Sequence, residues 1–532
     1  MSERLARLSR EEHHRILKLM SGLLLALFAS SLSQTILNTA LPTVVGQLGG
    51  QEHLAWLASG QLLATTVSTP LWGKLSDIFG RKRLFQLALV FFIVGSLLAA
   101  ASSGMGMLVG ARALQGIGNG GTVALTMAIL ADAVSPRQRG RYSGYLGASF
   151  ALATVCGPLI GGFLVVSGTN GWRLCFLVGL PLCLAAMAVV HSTLETEPAR
   201  PRLPFDTSGA LLISACLVCA GLVLSLGGTT IAWLSPWTLT LEALVGVLLV
   251  AAVSAERRAV DPILPPRLFA VRTFRFAGGA LLVTGVAMYA ALTYMPLYLQ
   301  IVKDRTPTVA GLLTLPMVVT LVLSGAIVGR RMSATGHYKR YPMTGLALTA
   351  VGMALLARLD AQTDLVVVGA AMALVGAGIG MIGQVLIVAC QNEAQQDDMG
   401  VVSATTSFLR SLGGALGVAV LGSILATRLA VNVPALLQQR HLTGATSLPL
   451  NRLLGSPAAV DRLPAGVRGA VVDGMASALD VAFLAVVPLC LLGLLLVSML
   501  REQPLRTTRR GEVVDIATDE LTEGELYLEA TA

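Results

Sequence analysis

Residues 71–83 read LWGKLSDIFGRKR, a charged knot between two apolar runs. Asp77 and Arg81 stand four apart, between Gly73 and Gly80, and Lys82 and Arg83 close the stretch. On a helix that spacing brings a carboxylate and a guanidinium onto one face. Basic residues alone would suit a turn at a membrane surface. The aspartate asks for another reason, and the chain around it supplies one.

Of the 532 residues, 54% are hydrophobic and 13% charged, and the mean hydropathy is +0.74. That is the composition of an integral membrane protein rather than a water-facing one. The apolar runs are about twenty residues long, enough to cross a hydrocarbon core of about 30 Å as helices and too long for barrel strands. Read by apolar length and breakers, they predict fourteen spans at 18–42, 53–73, 84–103, 106–131, 141–166, 172–192, 207–227, 234–254, 273–300, 308–329, 341–358, 364–390, 400–427 and 477–499. The first is taken as a span, since no small-residue cleavage site follows its apolar run and it continues through Gln34 and Asn38 to Pro42.

With the N-terminus inside, the inward segments hold 27 of the 38 Lys and Arg and the outward ones 9, while Arg112 and Arg410 lie within spans. The positive-inside rule then predicts that both termini are cytoplasmic. The net charge of +9 is thereby explained by topology and gives no sign of nucleic-acid binding. Seven cysteines, all in apolar segments, form no disulfide framework, and Cys216 and Cys219 read as helix-packing residues rather than a metal site. Gly73-Lys74 is followed by leucine, so no phosphate-binding loop is present. No enzyme domain, cofactor or metal is expected, and the work must be drawn from gradients.

The chain repeats itself. GKLSDIFGRKR from Gly73 has a counterpart in GRRMSATGHYKR from Gly329, with Ser333 in the place of Asp77, and Gly140 matches Gly400 at a similar offset. This predicts an all-α polytopic protein with a cytoplasmic segment 1–17, a six-helix bundle 18–192 and a linker 193–272 carrying two extra spans. A second six-helix bundle follows at 273–499, with a long extracytoplasmic loop at 428–476, and then a cytoplasmic tail 500–532. Two such bundles can rock about a site near the midplane.

In these features the sequence resembles the major facilitator superfamily, and more closely its fourteen-span drug:proton antiporter branch. The resemblance covers nearly the whole chain. It rests on the G-x-L-[SA]-D-x-x-G-[RK]-[RK]-[RK] pattern at Gly73, Asp77, Gly80, Arg81, Lys82 and Arg83, and on R-x-x-Q-G-x-G at Arg112, Gln115, Gly116 and Gly118. Span 5 adds the antiporter glycines in GASFALATVCGPLIGG, with Gly157, Pro158, Gly161 and Gly162. GWRLCFLVGLP departs from the branch in having Gly179 where asparagine is usual. The resemblance implies a latch at residues 73–83 that holds the cytoplasmic side shut, and a gating role for Gly157 and Pro158.

Polar residues inside the spans are the remaining candidates. Arg112, Gln115 and Asn119 share one face of span 4, and Ser30, Gln34 and Asn38 form a stripe on span 1; both are expected to line a cavity or to serve coupling. Arg410 divides between function and anchoring at an inner end, and Tyr294 and Tyr298 read as belt anchors. Where the branch carries L-D-x-T, this chain reads Leu32-Ser33-Gln34-Thr35. With that carboxylate missing, Glu242 in span 8 becomes the first candidate proton carrier, and preference is expected to move from cations toward neutral or weakly acidic amphipaths. Asp132 and Glu393, at the inner ends of spans 4 and 12, read as gate-pairing acids. The expected function is proton-driven export of amphipathic small molecules by a monomer in a bacterial plasma (inner) membrane, its partners being substrate, protons and the lipid bilayer. The alternatives are an exporter of one endogenous metabolite, lipid or siderophore, or a non-transporting sensor on the same fold.

Overall fold

In a computed structural model, residues 2–48, 54–134, 136–166, 170–194, 206–226, 235–394, 398–440, 460 and 463–505 are described. Helices follow the apolar runs. The first half comprises α1 (Ser2–Leu48), α2 (Leu54–Phe79), α3 (Arg81–Ala100), α4 (Met105–Ala133), α5 (Pro136–Val166), α6 (Gly171–Leu177) and α7 (Gly179–Thr193). Between the halves stand α8 (Thr207–Leu226), α9 (Pro236–Arg258) and the short α10 (Pro266–Ala270). The second half comprises α11 (Arg272–Ile301), α12 (Pro307–Leu313), α13 (Leu315–Thr335), α14 (Arg340–Leu356), α15 (Leu365–Gly380), α16 (Gly383–Glu393), α17 (Met399–Gln439) and α18 (Ala465–Ser498).

Among the described residues, eleven helices are long and apolar enough to cross a membrane. Helices also cover the other three predicted spans, but α14 has 17 residues, the apolar part of α8 is Thr207–Val223, and α2 is interrupted by Gln61, a Thr/Ser run and Pro70. Breaks occur where glycines or prolines interrupt the runs: α12 passes to α13 before Pro316, and α15 to α16 at Met381-Ile382.

The internal repeat is visible in the backbone. Gly80 and Gly336, 256 positions apart, have φ of 89° and 75°, and they are the only positive-φ glycines among the described residues. Each ends a helix beside a basic cluster, at a turn that a side chain would strain. The end of the molecule that carries these turns is here called the basic end.

The halves meet along α2 with α17 and along α5 with α13. At the basic end they share cores: Ala404 of α17 is buried among Leu84, Phe85 and Leu125 of the first half, and Ala131 of α4 among Phe274, Val385 and Leu386 of the second. Helices α8 and α9 dock on the flank of α2, where Gly221 lies against Leu63, and Ile213, Ala252 and Ile263 pack beside Leu71. The outer side of α9 is exposed at Val247, Leu249 and Val250, as suits a lipid-facing helix.

One boundary differs from the sequence reading. The loop expected at 428–476 is much shorter, because α17 continues to Gln439 and α18 begins at Ala465. Val433 and Leu437 pack with Val467, Ala470 and Val471, and Arg440 pairs with Asp473, so the end of α17 and the start of α18 pack on each other. Tyr294 and Tyr298 are also not belt residues. Both are buried, and they donate to the Val418 and Asp360 carbonyls at 2.6 and 2.8 Å.

Candidate functional site

The stretch from Gly73 to Arg83 spans the end of α2, the Gly80 turn and the first residues of α3. Across the turn Arg81 faces back, and its Nη1 lies 2.6 Å from Asp77 Oδ1, while its Nε donates to Asp132 Oδ2 at the end of α4 at 2.9 Å. It also donates to Ser76 Oγ, which in turn donates to the Gly73 carbonyl at 2.7 Å. Arg81 thus ties three helix ends of the first half together, at 7% exposure.

The aspartate has a second neighbour, from the other half. A β-carbon on Gly400, in the first turn of α17, would approach Arg81 Nη1 and both Asp77 oxygens, with Oδ2 at 2.7 Å. The carboxylate is therefore set against a helix N-terminus, where a negative charge is favoured. Gly73 faces the same turn, where a β-carbon would lie 3.0 Å from the Gly400 carbonyl and collide with Ala404. Burial between the halves raises the Asp77 carboxyl from 3.8 to about 6, against the lowering effect of Arg81; Asp77 lies past the predicted end of span 2 at residue 73. Beside it Lys74 pairs with Asp261, which follows α9. Lys82 is half-buried and Arg83 exposed, so the pattern's last two basic residues are outside this contact.

The second set of polar residues lies inside the first half. Arg112 Nη1 donates to Gln115 Oε1 at 2.9 Å, and Gln115 Nε2 donates to Ser96 Oγ of α3 at 2.7 Å and reaches Ser33 Oγ of α1 at 3.5 Å. Asn119, one turn on, approaches Thr65 of α2 at 3.4 Å, and Thr65 donates to the Gly116 carbonyl at 3.0 Å. Glycines permit these approaches: Gly116 abuts the Gln61 carbonyl of α2, and Gly118 abuts the backbone of Phe92 of α3.

On α5, Gly157 abuts Thr35, which donates to the Ala153 carbonyl at 2.9 Å. A β-carbon on Gly311 of α12 would lie 3.0 Å from the Pro158 ring, and one on Gly162 would lie 3.6 Å from Thr308 Oγ1; Gly161 is buried. The glycines and the proline of span 5 therefore mark the seam between halves as well as a packing face within one.

Several candidates fall elsewhere. Gln34 is half-buried and outside the Arg112 network, to which α1 contributes Ser33 instead. The Asn38 side chain lies outside the described residues. Glu242 is exposed on peripheral α9 and does not join Arg112. Glu393 accepts from Thr273 Oγ1, and Asp132 pairs with Arg81, so both acids close helix ends. Sequence reading passed over Ser96, Gln61 and Asp261. A lone serine beside Gly95 and a lone glutamine in an apolar run were the available signals for the first two; nothing local marks Asp261.

Two helical halves packed against each other, with eleven helices among the described residues long and apolar enough to cross a membrane, make a polytopic membrane protein whose first half buries a set of polar side chains. The Major Facilitator Superfamily profile matches residues 23–418, and the chain belongs to that family. It is 35% identical over 493 residues to an uncharacterized MFS-type transporter of Mycobacterium tuberculosis, covering 92% of this chain and 70% of that one. It is 33% identical over 410 residues to the multidrug transporter protein MdtP of Bacillus subtilis, covering 77% and 75%. Among solved structures it is similar to the proton:xylose symporter XylE, with a TM-score of 0.61 at 14% identity over 93% of this chain and 98% of that one, a likeness of fold.

Proposed function

We propose that this multi-pass transporter is a proton-driven exporter of amphipathic small molecules, working by alternating access in a bacterial inner membrane with fourteen spans and both termini inside. The observation that carries this reading is the contact of Asp77 and Arg81 with Gly400. It joins the two halves at the basic end by packing a paired carboxylate and guanidinium onto a glycine in the first turn of a helix, an interaction that can be broken and remade, as a gate requires. The multidrug transporter among the relatives supports export and breadth of substrate. One proton moving through about 100 mV and one pH unit supplies about 2.3 and about 1.4 kcal/mol, enough for gradients of several hundredfold.

The mechanism follows from the geometry. With the basic end closed, substrate sites between the halves are shut off from that side. Parting the halves removes Asp77 from the α17 terminus and from its buried setting, while Arg81 remains paired to Asp132 on its own half. Expression in a drug-sensitive bacterial host tests the function. Raised tolerance to several unrelated amphipaths, abolished by Asp77→Asn at equal membrane level, is the expected result. Protection against a single compound would point to a dedicated exporter.

A further inference from the structure

Arg112 is 2% exposed, its Nη1 is held by Gln115, and its Nε–H meets no acceptor. Among the described residues no carboxylate interacts with it. On the facing helix α2, Gln61 is 1% exposed, and neither the nitrogen nor the oxygen of its amide has a partner. Its backbone lies against Gly116, one helical turn along α4 from Arg112. The side chain that reaches this network from α1 is Ser33, which carries no charge.

A guanidinium out of water without a counter-charge is strongly unfavourable, and so is an amide without hydrogen bonds. Two such groups on neighbouring helices, a turn apart, offer donors suited to an oxyanion. A carboxylate matches both the charge and the hydrogen-bond geometry of a guanidinium. Apolar surface is plentiful beside them, with Leu32, Ile36 and Leu108 buried nearby in the same bundle.

We propose that Arg112, positioned by Gln115 and flanked by Gln61, binds the carboxylate of an acidic amphipathic substrate, so that the transporter favours organic acids over their neutral counterparts. This deepens the transport reading and rests on it. Ser33 decides the preference by leaving the counter-charge to be brought by the substrate.

The test is equilibrium binding to the purified full-length protein in lipid nanodiscs, with 1-naphthoate and its methyl ester as probes. The native protein should bind the acid at least about tenfold more tightly than the ester, and Arg112→Gln and Ser33→Asp should each reduce that ratio to about twofold or less. Equal binding of acid and ester by the native protein overturns the proposal, as does a preference that survives both substitutions. Uptake into inverted vesicles separates the two readings. Acid-selective binding without proton-driven uptake refutes the exporter and supports the anion site, whereas proton-driven uptake of the ester without preference for the acid refutes the site alone.

Discussion

Gly400 of α17 faces the Asp77 carboxylate of α2 so closely that a β-carbon there would lie 2.7 Å from Oδ2. The two residues are more than three hundred positions apart and belong to opposite halves. Their approach joins a charge to a helix terminus, and only the absence of a side chain at 400 lets it happen.

Gly400→Ala should therefore open the basic end without touching any substrate residue. Overpacking of this kind costs about 1–3 kcal/mol, which lowers the closed-to-open ratio roughly five- to 150-fold. The check is the labelling rate of a cysteine at Ser403, buried three residues further along α17 where its hydroxyl accepts from Gln391, together with transport at equal membrane level. Faster labelling and lower turnover are expected.

The same contact gives a pH dependence. Asp77 is raised to about 6 where it is buried, and should return toward 3.8 when water reaches it. The closed state holds the proton more tightly, so acid favours closure; the advantage fades as pH rises from about 4 to 6 and is gone above that window. Labelling at Ser403→Cys should be slower at pH 5 than at pH 7.5, after correction for thiol ionisation with a free-thiol standard, and Asp77→Asn should remove the difference.

How much of this was readable beforehand depends on range. The Asp77–Arg81 pair is a local spacing, and the Gly80 and Gly336 turns repeat a local pattern, so both stood in the sequence. The resemblance implied a latch over residues 73–83, but the residue that Asp77 meets, Gly400, could be found only by folding the two halves together. The exposure of Glu242 was not legible, because the polar residues of α9 fall on no single face and its packing on α2 is a long-range contact. The end of α17 was misjudged for a related reason: Arg428 and Asn432 look like the start of a loop, whereas Val433 and Leu437 have a packing partner in α18.

Lys74 and Asp261, 187 residues apart, tie the lock region to the segment after α9, with side-chain exposures of 7% and 15%. Losing one partner of a pair this enclosed costs about 3–5 kcal/mol. Asp261→Lys and Lys74→Asp should each impair transport, and the double exchange should restore most of it. Additive losses in the double variant would show that the extra helices are bystanders.

For topology, a cysteine at Thr230 should react with a membrane-impermeant reagent from outside, and one at Pro265 only after permeabilisation. The reverse at either site would contradict the fourteen-span arrangement.

The most direct measurement is uptake into inverted membrane vesicles of acidic, neutral and cationic amphipathic dyes, energised only by an imposed pH gradient, for the native protein and Asp77→Asn. The account predicts that native vesicles, acid inside, accumulate dyes, that dissipating the gradient abolishes accumulation, and that Asp77→Asn at equal protein level is nearly inactive. Accumulation that ignores the gradient, or full activity in Asp77→Asn, would contradict it.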